Sequence, residues 1–236
     1  MTGLKKLAWI VGAVVASLAA AMLIVQGPQR GEPAATLRPV AEHLPWQIGT
    51  LPNGGSTVFG LKLSPDTAIA STLAEAQGRW PADFQIAVVA APGEDGNVEA
   101  YVDSARAGFI VGKLVFGADV SKALVQQFRE RAAKVEFMDS TTRKYHLSPA
   151  DLAMALKARV AVIAFVPQAH LDAETLHARF GEPAERINSN EHLTHWLYPN
   201  KGLSIALDSQ GKELLQYVAP IEFARLREPL VKTARH

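Results

Sequence analysis

"VAVIAFVP", residues 160–167, is an uncharged run with four β-branched residues and a proline stop. Apolar content of that length without polar alternation reads as a buried strand. Outward from it the pattern is mixed. "DAETLHARFG" (172–181) reads as a short helix capped by Asp172 and closed by Gly181. "HLTHWLYP", "GLSIALD" and "ELLQYVAP" follow as a meander with turns at "NKG" and "SQG". Upstream, "FQIAVVAA", "NVEAYVD" and "GFIVGKLVF" predict another meander.

Before that first meander, "STVFGLKL" reads as one strand and "DTAIASTLAEAQGRW" as a helix, with Thr72 and Glu75 forming a capping box if the helix starts late. After it, "DVSKALVQQFRERAAK" reads as a helix with Asp119 as its cap, and "LSPADLAMALKAR" as one with Ser148 as cap and Pro149 at the first turn. Strand, proline, helix and three strands thus occur twice. Pro65 matches Pro167, Leu73 matches Leu176, and Gly108 matches Gly202, with Gly181 closing the second helix. The expected fold is α+β: an N-terminal transmembrane helix, then helices packed on antiparallel meanders, as two pseudo-repeats over 46–146 and 147–228 with a tail at 229–236.

"LAWIVGAVVASLAAAMLIV", Leu7–Val25, carries no charge and follows Lys5 and Lys6. At about 1.5 Å per residue it approaches the roughly 30 Å of a hydrocarbon core, and the lysines keep residues 1–6 cytoplasmic. Ala19-Ala20-Ala21 also suits a signal peptidase, so a cleaved signal is the alternative. Residues 26–45, rich in proline and glycine, read as a tether. The expected location is the outer side of the cytoplasmic membrane, with the bilayer as one partner through Leu7–Val25.

There is no cysteine, which excludes disulfides, thiolate metal sites, a cysteine nucleophile and a lipoprotein anchor carried on cysteine. Twenty-four basic against 23 acidic residues, without long runs of one sign, argue against nucleic acid as partner. No G-x-S-x-G motif or phosphate-binding glycine loop occurs. His192 and His195 lie three apart, on opposite faces of a strand, so they do not converge on a metal. No cofactor, metal or catalytic set is therefore expected. Trp196 and Tyr198 share one strand face and are either core or anchors for a partner.

Leu176, Phe180, Gly181 and Pro183, followed by Trp196, Tyr198, Gly202, Asp208 and Gly211, resemble the helix and Trp-x-Tyr pattern of BamE/SmpA-type envelope proteins. The resemblance spans about residues 171–218 and implies a helix-and-sheet module, of the β-lactamase inhibitory protein type, that binds proteins of the cell envelope. The family's lipid-bearing cysteine is missing here, and "EAYVD" stands where a first-copy Trp-x-Tyr would fall. The expected role is a non-catalytic interaction or scaffold domain with an unidentified envelope protein; the alternative is a small-ligand module with its cleft between the halves.

Overall fold

A computed structural model describes residues 42–138 and 141–233. Thirteen strands and five α-helices lie within them. β1 (Gly49–Thr50), β2 (Ser56–Val58) and β3 (Leu61–Leu63) form a small antiparallel sheet. The large sheet contains β4 (Gln85–Ala90), β5 (Asn97–Ala107), β6 (Ile110–Ala118), β7 (Lys134–Phe137), β8 (Arg143–His146), β9 (Val160–Pro167), β10 (Glu185–Asn188), β11 (Leu193–Tyr198), β12 (Leu203–Asp208) and β13 (Leu214–Val218). Its order is β10-β11-β12-β13-β9-β6-β5-β4-β8-β7, antiparallel throughout.

That single ten-stranded sheet corrects the expected pair of helix-covered meanders. β6 and β9 are long and apolar on both faces, so neither is stable as a sheet edge, and they pair from Gly112↔Pro167 to Ala118↔Val160. The pseudo-repeat fails in the same place. Pro65 follows β3 of the small sheet, whereas Pro167 ends a central strand of the large one. Leu73 and Leu176 are both buried, and Gly108 and Gly202 both have positive φ (63° and 64°), yet Gly108 turns between β5 and β6 and Gly202 leads into β12. The echo reflects shared turn and helix chemistry laid onto strands with different places in the sheet.

The expected transmembrane helix, Leu7–Val25, and most of the tether lie outside the described residues. Among the described residues no helix is long and apolar enough to cross a membrane. Among the described residues the first buried side chain is Leu44, and Tyr217 donates its hydroxyl hydrogen to the Pro45 carbonyl at 3.0 Å.

The helices are short: α1 (Leu73–Arg79), α2 (Lys122–Glu130), α3 (Pro149–Ala155), α4 (Ala173–Phe180) and α5 (Ala224–Thr233). Their caps follow local chemistry. Thr72, Ser121, Ser148 and Asp172 each accept the backbone N–H of the third helical residue. Ser121 rather than Asp119 caps α2; Asp119 instead binds Arg159, which also reaches Glu222 and the Ser64 carbonyl. Gly181, φ 79°, closes α4. "STVFGLKL" is not one strand but the β2–β3 hairpin, turning at Phe59 and Gly60 with φ of 53° and 72°. A bulky residue at positive φ is strained. The Phe59 ring, fully buried against Phe165 and Tyr217 at 5.4 Å each, holds it there.

Successive sheet residues face opposite ways, giving two packed faces. Ile163, Phe165, Phe116, Leu215 and Tyr217 pack with Leu73, Phe128, Leu176 and the small sheet. On the second face, α5 seats Leu226, with Phe223 just before it, on Val162, Leu197 and Val218. Beside these, Val115, Ala164, Ala206 and Leu214 form a cluster whose members all come from the sheet.

Candidate functional site

Trp196 and Tyr198 face the main core. They are 9% and 4% exposed, and the Tyr198 ring packs on Phe180 at 6.1 Å. Burial, with Glu182 adding to it, pushes the Tyr198 hydroxyl up to about 12, so it keeps its proton and donates to the Gly181 carbonyl at 2.9 Å. Arg186, opposite Trp196 on β10, lies over the indole at 5.1 Å. The pair therefore clamps α4 and β10 to the sheet, with little surface left for a partner.

The second face carries polar side chains that strand alternation alone did not single out. Ser204 lies opposite Gln216, Gln216 opposite Ala164, Ala164 opposite Val115, and Val115 opposite Tyr101. Glu99 and His195 point from flanking rows. Tyr101 donates to Glu99 at 2.6 Å, and burial raises the Tyr101 hydroxyl well above its ordinary range. His195, Ser204 and Gln216 are buried, and His195 Nδ1, Ser204 Oγ and Gln216 Nε2 find no hydrogen-bond partner among the described residues. Burial lowers His195 to about 4, so its ring is neutral at pH 7. Serine and histidine are not bonded to each other. The legible signal was polar residues interrupting the otherwise apolar "GLSIALD" and "ELLQYVAP".

The remaining histidines are dispersed. His170 contacts buried Glu213 at 2.5 Å, and His177 contacts Glu182 at 2.9 Å. Among the described residues no cluster of histidines and carboxylates could hold a metal ion. A groove of about 770 Å³ runs along α2, lined by Asp95, Lys122, Gln126, Arg129 and Tyr145. Its charges are engaged within the fold: Lys122 pairs with Asp95, and Arg129 donates to the Glu94 and Asp95 carbonyls and to Tyr145.

The ends of the sheet differ. At β10, Ile187 is buried, Arg227 of α5 grips Glu185 at 2.6 Å and holds its carboxyl below the usual range, and Arg186 reaches Glu182 at 2.7 Å. At β7 the apolar side chains stand in solvent: Val135 is 43% and Phe137 73% exposed, with Arg143 stacked on Phe137 at 5.2 Å. Lys134 and Glu136 pair along the strand, and His146 joins Glu136 at 2.9 Å. These hydrogen bonds draw the Glu136 carboxyl down to about 2. The alternation in "KVEF" was the signal for this strand, but its brevity and charge hid it.

No known protein family, curated protein or solved structure matches this chain.

Proposed function

We propose that the protein is a non-catalytic interaction domain, attached to the outer side of the cytoplasmic membrane through Leu7–Val25, that engages an envelope protein by the β7 edge of its sheet. The observation that carries this reading is the exposure of Val135 and Phe137 on a terminal strand beyond which no described strand pairs. Sheet edges are ordinarily blunted with charge, proline or a cover, because open main-chain groups recruit other strands. An edge that keeps two apolar side chains in water fits strand addition by a partner. The lysines before the apolar N-terminal stretch support membrane attachment, and the BamE/SmpA-type resemblance supports a protein-binding role.

The partnerless buried atoms of His195, Ser204 and Gln216 favour a second reading, in which a small polar molecule binds against the second face. Capture from native membranes with the full chain distinguishes the two. A Val135→Lys/Phe137→Lys variant is expected to lose at least nine-tenths of the wild-type captured protein while melting within a few degrees of wild type. Full retention of capture removes the edge reading. A stoichiometric small molecule released from the purified wild type on denaturation puts the second reading first.

A further inference from the structure

Resting on the edge reading above, the geometry points to a second copy of this chain as the partner of β7, added antiparallel about a two-fold axis with Val135 opposite Val135.

The phase of the ladder comes first. Met138 donates its N–H to the Thr142 carbonyl at 2.8 Å, and Lys134 and Glu136 lie opposite His146 and Lys144. Main-chain groups along a strand alternate in direction, so Lys134 and Glu136 aim theirs at β8 while Val135 and Phe137 aim theirs outward. The Ala133 N–H also bonds the His146 carbonyl, at 2.8 Å, so Ala133 and Lys134 share one partner in a bulge that ends the regular edge. Outward pairing therefore centres on Val135 and Phe137.

Charge then selects the register. With Val135 opposite its symmetry mate, Lys134 of each copy faces Glu136 of the other, twice. The adjacent two-fold registers put Glu136 opposite Glu136 or Lys134 opposite Lys134, and like charges directly opposite are unfavourable. The two apolar side chains share the face of buried Tyr145, since Val135 lies opposite Tyr145. In the paired form Val135 packs on Val135 with Phe137 at the diagonal, while the charges line the other face. A two-fold contact of this kind closes on itself and ends at a dimer rather than a filament. The interface is one short strand, so it is a weak contact in dilute solution, and a shared membrane raises the effective concentration of the two copies.

The chain contains no cysteine, so a single introduced thiol reports the contact without background. Full-length Val135→Cys, oxidised mildly in the membrane where it is expressed, is expected to give a disulfide dimer at least fivefold more abundant than Asn188→Cys on the opposite edge. Adding Lys134→Glu or Glu136→Lys to Val135→Cys should each reduce the dimer to the Asn188→Cys level. Co-expressing those two variants should restore it as the mixed dimer, because each then faces the opposite charge. A generic sticky edge does not show that restoration. Equal crosslinking at Val135 and Asn188, or a Val135 dimer indifferent to both charge reversals, overturns the inference. Cooperative melting of each variant shows that loss of crosslinking is not loss of fold. An absent dimer, with edge-dependent capture of other proteins intact, rejects self-pairing and leaves the interaction reading standing. A charge-selected dimer with unchanged capture does the reverse.

Discussion

The two ends of the ten-stranded sheet are built from strands of equal length and opposite character. β10 buries Ile187, stacks Arg186 on Trp196 and ties Glu185 to α5, so its side chains are spent inside the fold. β7 pairs with β8, shows Val135 and Phe137 to water and ties Glu136 to its own Lys134 and to His146 of β8. One end is a finished edge and the other is available, and the difference lies in what each side chain meets rather than in how the backbone pairs. Fusion of the two meanders through β6 and β9 leaves β10 and β7 as the terminal strands of the large sheet.

Substitutions on the β10 side should be costly. Trp196→Ala removes a core indole and the platform under Arg186, with an expected loss of about 3–5 kcal/mol in chemical denaturation. A change below about 1 kcal/mol would mean that the aromatic pair does not hold this end of the sheet.

Next comes acid sensitivity from His195. Its folded pKa, about 4, lies below the ordinary 6.5, so the unfolded chain takes the proton first. The stability from keeping the ring neutral is complete above pH 6.5 and is lost progressively as pH falls toward 4, on the order of 3 kcal/mol in all. His195→Phe should flatten that part of the stability curve, and a parallel pH slope in the variant would contradict the burial argument.

Arg227→Ala breaks a partly exposed ion pair with Glu185, and roughly 0.2–1 kcal/mol is expected by the same measurement. The smallest effect belongs to the other edge. Phe137→Lys should shift stability by no more than about 0.5 kcal/mol, since the ring has no core contact to lose. A loss of several kcal/mol there would erase the contrast between the ends.

Much of the strand pattern was readable in the sequence. β4 to β6, β9 and β11 to β13 announce themselves through alternating or continuous apolar residues, and the caps at Thr72, Ser148 and Asp172 through polar side chains before apolar runs. Their assembly was not readable, because the choice between two sheets and one depends on which long strands meet, and that is set by burial on both faces. β7, β8 and β10 escaped notice because "KVEF", "RKYH" and "ERIN" are short and half charged. The β2–β3 hairpin was hidden by Phe59 occupying a turn position normally given to Asn or Gly. α5 straddles the expected boundary at 228/229 and contains Pro229, a helix-breaking signal that packing of Leu226 on the second face overrides. Of the site, Trp196 and Tyr198 were found as a pair, but only the surroundings decide between anchor and core, and those come from α4 and β10.

Amide hydrogen exchange at Val135 and Phe137, compared with Arg186 and Asn188 on β10, tests the availability of the β7 edge most directly. The full chain is measured reconstituted in a lipid membrane and again after dilution into detergent at low concentration. The Val135 and Phe137 amides are expected to exchange freely when dilute and to gain at least tenfold protection in the membrane, with β10 unchanged between the two conditions. Identical exchange at β7 in both conditions would contradict an engaged edge.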